Sequence, residues 1–339
     1  MVDRRSSSRP NGKQNADLLI EQKSKKWNEF ISNHDKADIF HTHEIMDVYN
    51  LTKYFEPCVT IIERENKILG LALGEISCES VRFLGLSRRT IFYAEPIYNG
   101  ELHNLDILLK DVKQLSKGLF VQIRLNNYLS KEEELIYTNN GFKREDHLSA
   151  IIELTDKDTV WNNFYKDKKK GIRKAVNNLK IEIRERSNGE GIELFYDLLA
   201  QLYKRKRHSL KSKEYFQNII KYGKGKIRIL FAYYQGEPIA TQLFSLFKDR
   251  MKAIYTATLR GHLDKHAGDL LIWKLIEIGF ENKIKVFDFG GGGNPNIKYG
   301  PREYKERFGA QFINTGRWIY KKSILYSIVM GGYKAILRN

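Results

Sequence analysis

Val286-Phe287-Asp288-Phe289-Gly290-Gly291-Gly292-Gly293 reads as a short apolar strand that takes up an acidic residue and runs into four glycines. Consecutive glycines weaken helix and strand alike, because they lose the most backbone entropy on folding and offer no side chain to pack. Such a run makes sense where the backbone bends sharply or where something must approach it closely. Soon after comes Tyr299-Gly300-Pro301-Arg302-Glu303-Tyr304-Lys305-Glu306-Arg307-Phe308-Gly309. A loop that only connects has little use for Tyr299, Arg302, Tyr304, Lys305 and Arg307 within nine residues. The two stretches therefore read as one wall of a site, with Asp288 and Gly291 at its edge.

Outward from this wall the chain alternates in α/β fashion. The first half predicts helices from about Ala16 to Asn33 and Thr42 to Tyr54, then strands Val59–Glu63, Ile68–Glu75, Val81–Leu86 and Thr90–Tyr93. A helix Leu105–Leu115, a strand Phe120–Leu125, a helix Glu132–Asn139 stopped by Asn140-Gly141, and a strand Ala150–Leu154 complete it. The second half predicts strands Ile227–Tyr234, Pro238–Phe247 and Met251–Thr258, a helix Asp269–Asn282, and the strand Val286–Phe289. The window Ile61–Gly70 matches Phe231–Ala240 in pattern: an apolar strand, a polar turn, then a strand opening on two apolar residues and a small one. Further strands, a helix and another strand follow in each half, as a duplicated α/β unit would give.

The chain has 339 residues, 42% hydrophobic and 12% aromatic, which suits two domains better than one. Cys58 and Cys78 lack CxxC or histidine spacing and read as core thiols of a reducing compartment. The first 15 residues carry Arg4 and Arg5 among serines and read as a disordered basic arm rather than a secretory signal. No run approaches the length of apolar residues a membrane span needs, so a cytoplasmic protein is expected. A net charge of +17 calls for an anionic partner: nucleic acid, a phosphorylated substrate or an anionic membrane leaflet.

The order of elements, together with Asp288-Phe289-Gly290-Gly291, Tyr304-Lys305-Glu306-Arg307-Phe308-Gly309, and Trp161 followed by Gly171-Ile172-Arg173-Lys174-Ala175, resembles the Fem-type peptidyltransferases of the GNAT-like acyltransferases. The resemblance runs from Phe40-His41-Thr42 to Gly316. It implies two tandem GNAT-like domains, 16–154 and 155–320, each a mixed sheet flanked by helices. It also implies transfer of an aminoacyl group from aminoacyl-tRNA to an amine of a peptidoglycan precursor, or acylation of an amino sugar in relatives that build surface polysaccharide. Two features depart from the pattern. No heptad run supports a coiled-coil arm. The GNAT pyrophosphate signature is replaced, before the Asp269 helix, by Arg260-Gly261-His262-Leu263-Asp264-Lys265-His266-Ala267-Gly268, which argues against acyl-CoA as donor.

On that resemblance the residues take roles. N-acyl transfer needs a neutral amine, an activated ester and a partner for the tetrahedral oxyanion. No covalent enzyme intermediate is required, and no cofactor beyond the donor. Lys305, between Tyr304 and Phe308, is assigned to the oxyanion, and Asp288 to orienting or deprotonating the amine. Tyr255, Tyr299, Tyr304, Gly291, Arg302, Arg307 and His41 are assigned to walls of the substrate site. At helical spacing Lys166, Lys169, Lys170, Arg173 and Lys174 share a face that suits substrate phosphates or a tRNA backbone, with Arg173 and Lys174 as named contacts. Lys204-Arg205-Lys206-Arg207-His208 is explained as a basic helix end.

His262-x-Asp264-x-His266 has ligand residue types but no further partner, so no metal is expected. The segment 321–339 predicts a basic amphipathic helix, resting on the inner membrane face beside a lipid-linked acceptor or packing on the second domain. The rival from another class is a nucleic-acid-binding protein without chemistry, for which no RNP, KH, zinc-finger or helix-turn-helix signature is present.

Overall fold

The computed structural model describes residues 24–78 and 88–322. The expected basic arm, the strand Val81–Leu86 and the tail beyond Lys322 lie outside them. Residues 24–33 form α1, a 3-10 turn covers Ile39–His41, and α2 spans His43–Leu51. Then come β1 (Phe55–Arg64), β2 (Lys67–Cys78), β3 (Arg88–Phe92), β4 (Ile97–Tyr98), α3 (Leu102–Leu115), β5 (Phe120–Arg124), α4 (Lys131–Asn139) and β6 (Lys143–Glu145). Next are β7 (Leu148–Glu153), α5 (Lys157–Asn162), α6 (Lys166–Arg173) with a π turn over Lys174–Asn178, and β8 (Glu182–Glu185). The chain continues through α7 (Gly189–Arg205), α8 (Lys213–Tyr222), β9 (Ile227–Tyr234), β10 (Glu237–Phe247) and β11 (Arg250–Thr258). It closes with α9 (Ala267–Glu281), β12 (Val286–Gly293), α10 (Gly300–Glu306), β13 (Gln311–Ile313) and β14 (Arg317–Lys321).

The hairpins β1–β2 and β9–β10 are the duplicated windows. Each turns through two residues with positive φ, Glu65 and Asn66 in one and Gln235 and Gly236 in the other. Turns of that geometry match the right-handed twist of the strands they join. The strands gather into two mixed sheets, ordered β1-β2-β3-β5-β14-β6, with β4 on β2, and β13-β7-β12-β11-β10-β9-β8. Helices flank both, and no long coiled-coil arm is present among the described residues.

Membership departs from chain order in two places. β7, which the sequence reading attaches to the first half, pairs with β12 and β13 in the second sheet. β14 returns from the end of the second half and inserts between β5 and β6 of the first, and Lys321 is its last residue rather than the start of a helix. The cause is apolar content: Trp318 and Ile319 of β14 are buried, Trp318 packing on Tyr137 of the α4 layer.

The halves also share a core. Ile45, Val48 and Leu73 from the first pack in one cluster with Phe195, Phe216 and Phe231 from the second. Full burial of each such side chain contributes roughly 1.5–3 kcal/mol. A second cluster joins β7, β12 and α9 with Phe164 and Phe308, and so anchors α10 to the second sheet.

Candidate active site

The site begins where two parallel strands part. β11 and β12 pair only over Arg250–Val286, Met251–Phe287 and Lys252–Asp288, although β11 runs on to Thr258 and β12 to Gly293. Beyond that point Ala253, Ile254 and Tyr255 on one side and Gly290 and Gly291 on the other line a cavity of about 590 Å³. The first half supplies the opposite wall with Arg89, Tyr93, Arg124 and Asn126.

The glycine run is strand, not loop. It keeps pairing with β7 through two register shifts, with Gly290 at φ +84° and Gly293 at φ +74°. Those bulges need left-handed backbone, which glycine adopts without strain. Asp288 sits at the split, 8% exposed, and its Oδ1 accepts from the Gly290 amide at 2.9 Å. Lys252 Nζ lies 3.6 Å from Asp288 Oδ2, donates to Asn126 Oδ1 at 2.7 Å, and pairs with buried Asp38 at 3.0 Å. One lysine thus ties the second half's carboxylate to the first half's polar wall.

Lys305 comes from α10. Its Nζ donates to the Gly291 carbonyl at 2.9 Å and stands 5.3 Å from the centre of the Phe289 ring. Burial pushes its amine down to about 8, with Asp288 opposing. The helix that presents it is fixed from below. Tyr304 donates to Asp269 Oδ1 at 2.9 Å, Lys168 Nζ pairs with the same oxygen at 2.9 Å, and His266 Nδ1 lies 3.1 Å from Oδ2. Asp269 is the third residue of α9 and almost fully buried, so a protein carboxylate fills the positive end of that helix. Tyr304 is thus half-buried, with its hydroxyl taken up by Asp269.

The other expected site residues divide. Tyr255 lines the cavity, its phenol raised by burial and packed edge-on against Phe216. Tyr299 caps α10, 40% exposed, against Gly293. Arg302 is used locally, donating to the carbonyls of Asn294 at 2.8 Å and Ile297 at 2.6 Å. Arg307 pairs with Asp167 on the surface at 3.1 Å. His41 does not reach the cavity. It is buried in the 3-10 cap, where Nδ1 accepts from the Asp38 amide and Nε2 meets the Glu95 carbonyl at 2.7 Å. Burial lowers its pKa.

Arg173 and Lys174 lie elsewhere, in an outer groove of about 520 Å³ lined by Lys166, Lys169, Lys170, Arg173, Lys174 and Asn178. Val176, on the π turn that follows α6, is exposed. Among the described residues no group of three or more ligand side chains could hold a metal, and no helix is long and apolar enough to cross a membrane.

Lys305 reaches Gly291 on the cavity wall but is not itself among the lining residues, and the sequence reading missed the cations that are. Arg89, Arg124, Lys211, Lys252 and Arg317 all line the cavity, with His147 beside Gly291. Lys211 pairs with fully buried Glu75 and stands over the Tyr215 ring at 4.3 Å and the Phe55 ring at 4.7 Å. The available signal was a lone cation inside an apolar strand, as in Ile123-Arg124-Leu125 and Met251-Lys252-Ala253.

Comparison with known proteins agrees with the fold. Residues 162–306 match the acetyltransferase (GNAT) domain model. No match is found among curated protein sequences. Among solved structures the chain is similar to FemX, at 13% identity and TM-score 0.70, over 93% of this chain and 98% of that one. It is similar to a tandem GNAT protein from the clavulanic acid biosynthesis pathway, at 9% identity and TM-score 0.57, over 91% and 96%. It is also similar to the C-terminal domain of a putative lysylphosphatidylglycerol synthetase from Agrobacterium fabrum, at 8% identity and TM-score 0.57, over 94% and 96%. The chain is an acyltransferase of tandem GNAT-like fold, with its acetyltransferase (GNAT) domain over residues 162–306 and a fold resembling the Fem-type branch.

Proposed function

We propose that the protein moves an aminoacyl group from an activated ester onto an amine of an anionic cell-envelope precursor, working at the cytoplasmic face of the membrane. The observation that carries this reading is Lys305, a partly desolvated cation held at the Gly291 carbonyl beside the strand split where Asp288 stands. In the step, the amine lone pair attacks the ester carbonyl, a C–N bond forms, and the oxyanion collapses with loss of the alkoxide. The proton lost by nitrogen ends on the departing oxygen, with Asp288 as its carrier. A fixed cation facing the oxyanion in a water-poor cleft contributes about 3 kcal/mol.

Two features support aminoacyl-tRNA over acyl-CoA as donor. The end of α9 that would seat a pyrophosphate is filled by Asp269 and closed by Lys168, Tyr304 and His266. The groove along α6 and the π turn after it carries five cations that form no ion pair among the described residues, a surface suited to a phosphodiester backbone. A relative whose name joins lysyl to phosphatidylglycerol accords with a lipid-linked acceptor.

The test compares retention of aminoacyl-tRNA and uncharged tRNA at near-physiological salt, alongside native mass spectrometry with a panel of acyl-CoA thioesters. Preference for charged tRNA is expected. Binding of one acyl-CoA with indifference to charging would replace this reading by acyl-CoA-dependent acylation of an amino sugar.

A further inference from the structure

We infer that Arg124 and Arg317, with His147 as their neutral neighbour, form a seat for a dianionic phosphate or diphosphate group inside the cavity. The starting point is the return of β14 to the first sheet. It sets Arg317 directly opposite Arg124 in the antiparallel β5–β14 register, and both side chains line the cavity. Like charges directly opposite across a strand pair destabilise it. On its other side Arg317 faces Glu145 of β6, which offsets part of that repulsion without forming an ion pair with it.

Among the described residues no carboxylate forms an ion pair with either arginine. Arg124 donates through Nε to Gln122 Oε1 at 3.0 Å and lies 4.6 Å over the Tyr93 ring. Arg317 donates through Nη2 to His147 Nε2 at 2.9 Å, and its Nε is buried without a partner. An imidazole nitrogen that accepts from a guanidinium carries no proton, so His147 is neutral and supplies no countercharge. Burial, then Arg124, push Arg317 down to about 9, while burial, then Arg317, Arg124 and Lys305, push His147 down to about 3. Two of the cavity lysines differ. Lys211 has Glu75, and Lys252 has Asp38 and Asp288.

Two guanidinium forks side by side match an anion with two charges and several acceptor oxygens, because each fork binds such a group bidentately. A single carboxylate would leave one of them uncompensated. A phosphate or diphosphate meets both, and Arg89 lines the same wall. This seat rests on reading the cavity as the substrate site, yet its test does not need turnover.

The experiment is calorimetric titration of the full chain with inorganic pyrophosphate, using Arg124→Gln, Arg317→Gln and the outer-face pair Lys169→Gln/Lys170→Gln. Binding by the wild type and at least tenfold weakening in both arginine variants is expected, with the outer pair near wild type. No binding by the wild type, retained affinity in either arginine variant, or equal loss in the outer pair overturns the seat. Ligand-free melting separates recognition from folding: relief of repulsion should leave Arg317→Gln no less stable than wild type, and a clear drop assigns Arg317 to the fold and overturns the proposal. Displacement of bound pyrophosphate by a nucleoside diphosphosugar assigns the seat to the acceptor, displacement by a short RNA ending in CCA assigns it to the donor, and displacement by neither overturns its role in substrate binding. If no donor supports transfer while the arginine dependence persists, the functional reading fails and the seat stands.

Discussion

Lys168 and Lys169 are neighbours on one short helix and live in different media. Lys168 is 8% exposed, paired with Asp269 and laid 4.3 Å over the Tyr304 ring. Lys169 faces the outer groove with four other cations and donates to the Asn162 carbonyl at 2.9 Å. The pair stands for a wider contrast. The outer cations are contiguous in sequence, solvated and screened by salt, whereas those of the inner wall are single residues from distant strands, brought together by folding and screened little. Charge on the outside provides attraction at a distance; charge on the inside fixes geometry.

Replacing both lysines tests the contrast most severely. Lys168→Met leaves Asp269 buried without its ion, which should cost about 3–5 kcal/mol in denaturant unfolding. Lys169→Met should stay within about 0.5 kcal/mol of wild type. Equal losses would erase the distinction.

Next in size is Lys305→Ala, expected to lower kcat by roughly 10²–10³-fold with the melting temperature kept, since a lost oxyanion partner acts only in the transition state. The pH dependence sharpens this. The Lys305 amine, lowered from 10.5 to about 8, is charged below that pH, so turnover relying on the cation falls as pH rises through about 8. Lys305→Arg should move that fall upward. The fold responds with the opposite sign: the buried ammonium costs stability fully below pH 8, and the cost is relieved as pH climbs from about 8 toward 10.5, which urea titrations at several pH values would detect.

Gly290→Ala is a smaller probe of the inner wall. A side chain at φ +84° costs about 1–2 kcal/mol, and the added Cβ would stand 3.4 Å from Lys305 Nζ. Both stability and kcat should drop while polyanion binding outside is unchanged. The smallest effect belongs to the outer face: each of Lys169→Gln and Lys170→Gln should reduce the salt slope of RNA binding by about 1, leaving kcat at saturating donor intact.

What the sequence disclosed follows the same division. The duplicated hairpins, the strand from Val286 to Phe289 and the basic helical face of α6 were legible because each is a local pattern, readable within a dozen residues; that the strand runs on through the glycines was not. The exchange of β7 and β14 between sheets was not, since nothing near Trp318 announces a partner as remote as Ile123. The arginine pair was hidden for the same reason: Arg124 and Arg317 are unremarkable singly and acquire meaning only from the register that opposes them. His41 misled in the other direction. Beside Phe40 and Thr42 it looks like the lip of a site, yet the capping box takes its Nδ1 and the Glu95 carbonyl its Nε2. Arg302 and Tyr304 lie in the right segment but are spent on holding the loop and the helix.

β14 also bears on how the molecule is made. β6 pairs only with β14 among the described residues, and the free side of β5 waits for the same strand. On the ribosome the first sheet emerges early but keeps an open edge until the last strand leaves the exit tunnel. That places an unpaired β-edge in the nascent chain for most of its synthesis, the situation in which folding intermediates aggregate. Arrested chains ending before Arg317 should be cut by protease across β5 and β6, and chains extended past Lys321 should resist.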